Sequence, residues 1–324
     1  MHILFLSDNF PPEVNAPASR VFERACYWVK WGHQVTVITS APNFPQGKVY
    51  PGYKNKWYQV ETMQGIRVVR VKTFIAENKG FILRSLDFLS FLFTALPAGL
   101  VQKKPDVIVA TSPQFFTAVA GCILAKLRRK PFFFELSDLW PASIAAVGSL
   151  RRDSFLYRCI EKVELVLYRS AKKVLAQTEA FKKDLIQRGI PAEKIVVIPN
   201  GVELSQFSPQ AKDSALMEQY HLQNRFVVGY IGTHGMAHDL IRVLEVAAQL
   251  SSFPITFMFV GDGAEKEKLQ KICQEKRLQN VLFISSQPKE QISHYWSLCD
   301  IALIHLKNDP TFTTVIPSKL FEAM

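Results

Sequence analysis

Short apolar segments alternate with helical patterns along the whole chain. Near the start, the runs His2–Ser7 and Gln34–Thr39 each have the length and composition of a strand. Between them, Ala18–Trp31 carries apolar side chains at helical spacing and is closed by Gly32. This strand, helix, strand order predicts a parallel pair of strands joined by a right-handed crossover.

The same alternation continues to the end of the chain. Further strands are expected at Arg67–Lys72, Asp106–Thr111, Pro131–Leu136, Lys173–Gln177 and Lys194–Ile198. A polar loop with Asn-Gly and two prolines, Pro199–Pro209, is typical of a domain boundary. Beyond it, strands are expected at Phe226–Ile231, Ile255–Val260, Val281–Ile284 and Ile301–His305, and helices at Asp239–Leu250, Glu265–Lys276 and Gln287–Ser297.

These patterns predict an α/β chain of two doubly wound, Rossmann-like domains that face each other across a cleft. The first domain is expected at residues 1–198, a hinge at 199–210 and the second domain at 211–324. Both sheets are expected to be parallel, because each strand is followed by a helical pattern.

The apolar run Phe81–Val101 has three possible interpretations: a buried or half-buried helix, an interfacial membrane helix, or a membrane span. A span needs about 20 predominantly apolar residues. This run is interrupted by Arg84, Asp87, Ser90 and Pro97. Its phenylalanines and the adjacent Lys103 and Lys104 suit a membrane interface.

Charge is distributed unevenly. The chain has 39 Lys and Arg against 28 Asp and Glu, a net +11. Residues 1–200 hold 28 of the basic and 15 of the acidic residues, a net +13, which leaves −2 for the remainder. The asymmetry indicates an anionic partner for the first part only, and an anionic membrane surface is one candidate. A basic enzyme without a charged partner is the alternative, while no motif indicates nucleic acid.

Neither the cysteines nor the N-terminus indicates an oxidising compartment. The five cysteines are odd in number and show no CxxC spacing, so reduced thiols and no metal site are expected. The N-terminal apolar run is too short for a signal peptide and has no basic residues before it. We therefore expect a cytoplasmic protein.

Three loops of the second half lie where a predicted strand meets a predicted helix. They are Gly232–His238 (GTHGMAH), Gly261–Gly263 (GDG) and Pro317–Lys319. Free backbone N–H groups at helix starts favour a phosphorylated ligand, and Lys319 and His238 could supply positive charge. Any one such loop could simply end a strand, but the three together predict a phosphate site. The first strand-to-helix loop, by contrast, lacks the GxGxxG fingerprint of nicotinamide and flavin sites.

Two carboxylates are candidates for a functional role. Glu322, one turn after Pro317, is placed to accept hydrogen bonds from two vicinal hydroxyls such as those of a ribose. A capping or solvent-facing glutamate is the alternative. Asp138 follows the fifth strand and could orient or deprotonate an acceptor hydroxyl, although it could also be a turn or N-cap residue.

Six segments together give the chain a family resemblance. They are FPPEVNAPASR, SDLWPAS, IPNGVELSQFSP, IGTHGMAHDL, VGDGAEKEKL and VIPSKLFEAM. The chain resembles the retaining GT-B glycosyltransferases of the family 4 type, and among them the bacterial N-acetyl-L-fucosamine transferase-like enzymes of O-antigen and capsule synthesis. The resemblance implies a nucleotide-sugar donor, a UDP-sugar, in the second domain and a lipid-linked saccharide acceptor in the first. It implies no metal and no cofactor.

The resemblance also implies roles for individual residues. Catalytic roles fall on Asp138 and Lys319, and an acceptor or phosphate loop on Asn15 and Ala16. Donor binding falls on Thr233, His238, Gly261, Ile284, Thr314, Ser318, Lys319 and Glu322. The chain departs from the commoner pattern at Thr314 in place of glutamate, at Thr233 and His238 in place of arginine and lysine, and at Ser137 in place of histidine.

These departures favour an unusual donor sugar, such as a 2-acetamido-deoxyhexose. The expected protein is then a retaining transferase of lipopolysaccharide or capsule synthesis, peripheral on the inner face of the plasma membrane. A nucleotide-sugar epimerase and a non-catalytic scaffold are the alternatives. Because the sequence ends within the first turn of a helix, an incomplete second domain with weak or no activity is expected.

Overall fold

The computed structural model describes residues 1–44, 46–75, 81–112 and 114–324, without the side chains of Phe81, Ile82 and Arg84. The chain divides into two compact units. Unit 1 consists of residues 1–199 with 313–315, and unit 2 of residues 200–312 with 316–324. Each unit contains its own β-sheet with helices packed against it.

Unit 1 is an α/β unit whose elements follow the predicted alternation. Its strands are β1 (His2–Leu6), β2 (Gln34–Ser40), β3 (Tyr58–Met63), β4 (Ile66–Val71), β5 (Val107–Thr111), β6 (Phe132–Leu136), β7 (Lys173–Ala176) and β8 (Ile195–Val197). Its helices are α1 (Ala16–Lys30), α2 (Phe81–Leu100), α3 (Phe115–Arg128), α4 (Ala142–Ala146), α5 (Phe155–Ser170) and α6 (Glu179–Gln187).

The sheet of unit 1 has the order β3-β4-β2-β1-β5-β6-β7-β8. Side chains alternate between its two faces, because successive residues of a strand point in opposite directions. Leu4 and Leu6 of β1 face the core under α2, α3 and α5, whereas Ile3 and Phe5 face the core under α1. The sheet is therefore covered on both faces, as a doubly wound fold requires.

The expectation of an entirely parallel first sheet is wrong at one edge. Strand β3 pairs with β4 in the antiparallel direction, through a tight turn at Gln64 and Gly65, both of which have positive φ. The segment gives no strong apolar signal because its residues are exposed or half-buried. An edge strand without a buried face cannot be recognised from hydrophobic alternation.

Helix α2 corresponds to the apolar run Phe81–Val101, for which a half-buried helix, an interfacial membrane helix and a membrane span were the possible interpretations. It is half-buried: Phe91, Leu92, Ala95 and Ala98 pack into the core of unit 1, with α3 as the principal neighbouring helix. Within the described part of the chain, no helix is long and apolar enough to cross a membrane. An interfacial position of α2 stays a prediction, and the expected interruption at the Arg84 side chain lies outside what is described.

A buried ionic cluster joins α5 to the end of α6. Arg188 contacts Glu164, whose side chain is 2% exposed, and lies 3.6 Å from Asp184. Glu164 also accepts a hydrogen bond of 2.5 Å from the Tyr168 hydroxyl. Because Glu164 is surrounded by apolar core, Arg188 provides the charge that compensates its burial.

We predict that Arg188→Met lowers the free energy of unfolding by about 3 to 5 kcal/mol, since it leaves the Glu164 carboxylate buried without a counter-charge. The matched control is Arg151→Met, because Arg151 pairs with Asp153 on the surface, where the side chains are 83% and 66% exposed. That pair should contribute little to stability, because water and salt screen two exposed charges. Urea unfolding of both variants checks the difference, and equal losses would contradict a buried-charge role for Arg188.

Unit 2 is the smaller α/β unit. Its strands are β9 (Phe226–Ile231), β10 (Ile255–Val260), β11 (Val281–Ile284) and β12 (Ile301–Ala302), and its helices are α7 (Ser214–Gln219), α8 (Leu240–Gln249), α9 (Lys266–Glu275), α10 (Ile292–Ser297) and α11 (Lys319–Ala323). The order is β11-β10-β9-β12, with every pair parallel, which confirms the predicted direction. The last strand is shorter than expected, because residues after Ala302 leave the sheet.

Candidate active site

Backbone hydrogen bonds connect the carboxyl ends of β9, β10 and β11 in unit 2. The Gly232 N–H donates to the Val260 carbonyl at 2.8 Å, and the Gly261 N–H donates to the Ile284 carbonyl at 3.0 Å. Gly261 has φ +143°, and a Cβ there would overlap the Gly232 carbonyl. Gly263 is equally constrained, because a Cβ would lie 2.5 Å from the His234 carbonyl oxygen. These glycines are thus required for close approach of the two loops.

Lys319, the first residue of α11, lies directly beside this junction. Its side chain is buried, and its Nζ lies 3.6 Å from the centre of the Tyr230 ring. A Cβ added at Gly232 would lie 2.9 Å from that Nζ, so the glycine leaves the space that the amine occupies. Within the described residues, the Nζ has no hydrogen-bond partner. Burial lowers the pKa of the Lys319 ammonium to about 7, an effect that Glu322 opposes.

His238 packs edge-on against the same Tyr230 ring, at 5.7 Å between ring centres. Its Nδ1 lies 3.2 Å from the His305 carbonyl, and the His305 Nδ1 lies 2.6 Å from the His238 carbonyl. Since a carbonyl oxygen can only accept, the Nδ1 of each ring carries a proton, and the Nε2 of a neutral His238 ring is left as an acceptor. Burial, and then the neighbouring Lys319, lower the pKa of His238 to about 3. His238 is therefore neutral at physiological pH, contrary to the expected positive charge.

His234 forms the floor of the site and was not predicted as a site residue. It is fully buried between Tyr230, Phe259 and Phe283, and neither ring nitrogen has a partner in the described part of the chain. Burial lowers its pKa to about 4, so this histidine is neutral as well. Two basic side chains reach the junction of the two loops: Lys266, which donates to the Gly261 carbonyl at 3.0 Å and pairs with Asp262 at 2.6 Å, and Lys319, which has no hydrogen-bond partner in the described part of the chain.

The remaining predicted donor residues of unit 2 lie around this junction with different exposures. Thr233 is exposed, and its carbonyl accepts a hydrogen bond of 2.7 Å from the Tyr230 hydroxyl. The Ile284 side chain is buried, and its carbonyl is already bonded to Gly261. Ser318 and Glu322 are half-buried on either side of Lys319, and Ser318 makes no side-chain capping bond to α11.

Thr314, also predicted to bind the donor, belongs to unit 1. Its carbonyl accepts a hydrogen bond of 2.8 Å from the Thr178 hydroxyl at the start of α6. The structure therefore does not group Thr314 with Lys319 in unit 2, although only five positions separate them in sequence. Spacing along the chain could not reveal this, because the segment 313–315 crosses from one unit to the other.

In unit 1, the loop after β1 holds Asn15 and Ala16 in structural positions. Asn15 caps α1: its Oδ1 accepts from the Ala18 N–H at 2.9 Å, and its Nδ2 donates to Asn9 at 2.8 Å. Ala16, the first residue of α1, is exposed. The same loop contains a residue that sequence reasoning missed, Glu13, whose carboxylate is buried and accepts from the backbone N–H of Asn43 at 2.7 Å.

The end of β6 carries a second unpredicted cluster. Arg20 and Arg24 of α1 contact the two oxygens of Glu135, at 2.9 and 2.5 Å. Arg20 also donates to the Ser137 hydroxyl at 2.5 Å. Asp138, the next residue, is half-buried, and its backbone N–H donates to the Ser112 hydroxyl at 3.4 Å. The ion pairs connect α1 to β6 across more than 110 residues of sequence, so no local pattern could have revealed them.

Both units of the chain match glycosyltransferase families in sequence. Residues 15–201 match the glycosyl transferase 4-like domain family, and residues 214–324 match the glycosyl transferases group 1 family. The chain belongs to the glycosyl transferase 4-like family. It is therefore a glycosyltransferase, and the two Rossmann-like units correspond to the GT-B fold.

Relatives of this glycosyltransferase include two named bacterial proteins. It is 26% identical over 330 residues to the putative colanic acid biosynthesis glycosyl transferase WcaI of Escherichia coli (strain K12), covering 99% of this chain and 80% of WcaI. It is 22% identical over 241 residues to the probable glycosyltransferase WbjE of Pseudomonas aeruginosa, covering 73% of this chain and 59% of WbjE.

Solved structures share the fold of this glycosyltransferase at lower identity. Anabaena HepE, in complex with UDP-glucose, matches with a TM-score of 0.70 and 20% identity, over 100% of this chain and 78% of HepE. Sucrose-phosphate synthase from Thermosynechococcus elongatus matches with a TM-score of 0.71 and 16% identity, over 93% of this chain and 74% of that chain.

Proposed function

We propose that this glycosyltransferase moves a 2-acetamido-deoxyhexose from a UDP-sugar to a lipid-linked glycan acceptor, with retention, in surface-polysaccharide synthesis. The observation that carries the proposal is the Lys319 amine of unit 2, which is buried beside Gly232 and has no hydrogen-bond partner among the described residues. A basic side chain that makes no hydrogen bond to the described residues is suited to an anionic group that approaches the carboxyl ends of parallel strands. The names of WcaI and HepE, a colanic acid transferase and a UDP-glucose complex, support the reaction class and donor.

The electrostatic role of Lys319 defines the proposed mechanism. As the bond between the anomeric carbon and the diphosphate breaks, negative charge accumulates on the leaving phosphate. Lys319, as an ammonium, stabilises that charge in a site with little water, where such stabilisation is usually the largest catalytic contribution. Asp138 of unit 1 orients the acceptor hydroxyl, and the leaving phosphate accepts its proton.

The neutral state of His238 gives it a separate role in this proposal. Since its Nδ1–H is bonded to the His305 carbonyl, its Nε2 can only accept a hydrogen bond. A phosphate has no hydrogen to donate, whereas a sugar hydroxyl or an acetamido N–H does. We therefore assign His238 to the sugar part of the donor rather than to the diphosphate.

The reaction is tested by mass spectrometry with a panel of UDP-sugars, GDP-mannose and polyprenyl-diphosphate-linked monosaccharides. Formation of a disaccharide from a UDP-N-acetylamino sugar, with the anomeric configuration of the donor retained by NMR, is the expected result. A change of the donor sugar without any acceptor would instead indicate an epimerase. Transfer only from GDP-mannose would contradict the proposed donor.

A peripheral position on an anionic membrane also belongs to the proposed function. Helices α2, α3 and α5 share one face of the unit 1 sheet. Apolar side chains are exposed on them, notably Phe93 at 66%, Leu127 at 60% and Phe155 at 83%. Exposed basic residues lie on or beside the same helices: Lys103, Lys104, Lys126, Arg129, Arg151, Arg152, Arg158 and Lys162. Such a combination suits the headgroup region of an anionic leaflet.

We expect the protein to float with vesicles of anionic phospholipid at low salt, and to release at high salt because screening weakens the attraction. Phe155→Glu should weaken binding by about fivefold, as it places a negative charge at the surface and removes an apolar contact. The matched control is Phe253→Glu in unit 2, where Phe253 is 53% exposed. Equal loss in both variants, or no flotation of the unaltered protein, would contradict the membrane position.

A further inference from the structure

The surroundings of the Lys319 amine in unit 2 do not favour its charged form. Its Nζ is buried and makes no hydrogen bond to any of the described residues. The contact it does make is with the face of the Tyr230 ring, at 3.6 Å from the centre. An aromatic face attracts a cation, but it does not replace the hydrogen bonds that water gives to an ammonium group.

The titratable groups around Lys319 supply little opposing charge. Tyr230 of β9 is a neutral phenol, because burial raises its pKa, and His234 and His238 of the following loop are neutral, because burial lowers theirs. Glu322 of α11 is the carboxylate that favours the ammonium, but it is half-buried and does not offset the burial. Asp262, in the loop after β10, is bonded to Lys266 at 2.6 Å.

We propose that donor binding is coupled to protonation of Lys319: above neutral pH the side chain is mostly an uncharged amine in the free protein, and it binds a proton as the donor diphosphate binds. This inference rests on the proposed function, since it takes the diphosphate as the ligand of Lys319. In the complex, the protonated amine no longer has the Tyr230 ring as its principal contact. It donates hydrogen bonds to phosphate oxygens instead.

Protonation of Lys319 is unfavourable before the donor binds and favourable afterwards. An ammonium held permanently beside Tyr230 would cost stability, because no acceptor in the described residues compensates its lost hydration. The diphosphate of a nucleotide sugar brings two negative charges and many acceptor oxygens. Their approach favours the protonated amine strongly, since opposite charges interact most where water is excluded. Binding of the donor therefore favours the ammonium form of Lys319, and this ammonium in turn stabilises the bound diphosphate.

The nature of the donor makes this proton measurable. Both phosphates of a nucleotide sugar are esterified, so the ligand has no group that titrates near neutral pH. A net proton taken up from the buffer on binding must therefore come to the protein. Free UDP is unsuitable as a probe, because its terminal phosphate itself titrates near pH 6.

Isothermal titration calorimetry tests the inference with UDP-N-acetylglucosamine, UDP-glucose and GDP-mannose as probes. Titrations in HEPES and in Tris, which have different ionisation enthalpies, give the number of protons bound. With the pKa of Lys319 lowered to about 7, uptake should be about nine tenths of a proton at pH 8 and about one tenth at pH 6. Affinity should fall about tenfold per pH unit above pH 8.

Lys319→Arg is the assigning control, because a guanidinium stays protonated at pH 8. It should remove the uptake while leaving measurable binding, and uptake that persists would show that another group takes the proton. The number of protons that the unaltered protein takes up on binding shows whether donor binding is coupled to protonation, even if the variant does not fold. Tight binding with no uptake at pH 8 overturns the inference alone. No binding of any of the three nucleotide sugars overturns the proposed function and this inference together.

Discussion

Lys319→Met should abolish sugar transfer and at the same time stabilise unit 2. The variant removes the amine that is proposed to neutralise the leaving diphosphate, so we expect turnover to fall by at least about 100-fold, as for the loss of one preorganised transition-state donor. It also removes a buried polar group that has no partner in the described part of the chain. Methionine fills a similar volume and needs no hydrogen bond.

The gain in stability has a defined pH dependence. The pKa of Lys319 is lowered from 10.5 to about 7 in the folded protein. Below pH 7 the lysine is protonated in both states, so the cost of burying the charge is fully present. That cost disappears as the pH rises from 7 towards 10.5, where both states carry the neutral amine. Lys319→Met should therefore be more stable by about 2 to 4 kcal/mol at pH 6 and nearly unchanged at pH 10.5.

Thermal unfolding at pH 6, 8 and 10, together with the transfer assay, measures both effects. The matched control is Lys276→Met, because Lys276 is exposed at the end of α9 in the same unit. This control should leave turnover unchanged. A loss of stability in Lys319→Met at pH 6 would show that the amine is compensated in the folded protein. Full turnover at saturating donor would refute its role in transfer.

Gly261→Ala should unfold the donor side of unit 2 at lower temperature and remove donor binding. The added Cβ would overlap the Gly232 carbonyl, and φ of +143° is a conformation that alanine rarely adopts. The backbone cannot easily shift to relieve this overlap, because the Gly232 and Gly261 N–H groups are both hydrogen-bonded to neighbouring strands. We expect a loss of at least about 3 kcal/mol in the free energy of unfolding, from backbone strain and the steric overlap combined.

The matched control for this change is Gly201→Ala. A Cβ at Gly201 meets no atom within 4 Å, so the substitution should alter stability by less than about 0.5 kcal/mol. Urea unfolding and calorimetry with UDP-N-acetylglucosamine compare the two variants. If Gly261→Ala bound the nucleotide sugar as tightly as Gly201→Ala, the close approach of the two loops would not be needed for the site.

Much of the fold could be predicted because the buried strands carry continuous apolar runs. The runs at His2–Ser7, Phe226–Ile231 and Ile255–Val260 coincide with β1, β9 and β10 almost residue for residue. Burial on both faces of a sheet imposes this pattern locally, so it is visible without tertiary information. Strand β3 was missed for the opposite reason, because it lies at the edge and has no buried face.

The candidate site could be predicted only in part. The glycines after β9 and β10 and the position of Lys319 were visible, because close backbone approach and a basic residue leave a mark in the sequence. The neutral state of His238 was not visible, since it results from burial and from a bond to His305, 67 positions away. The ion pairs of Glu135 with Arg20 and Arg24 depend in the same way on distant segments.

By itself, the sequence determined the α/β class and the two series of strands and helices, and it predicted the loops that a phosphorylated ligand would use. These properties depend on hydrophobic periodicity and on residues such as glycine, whose preferences act within a few positions. Only the tertiary structure decided which charges the site contains. It buried Lys319 against Tyr230, made two histidines neutral and assigned Thr314 to unit 1. The charge of a side chain depends on the water and partners around it, and the fold supplies those from distant parts of the chain.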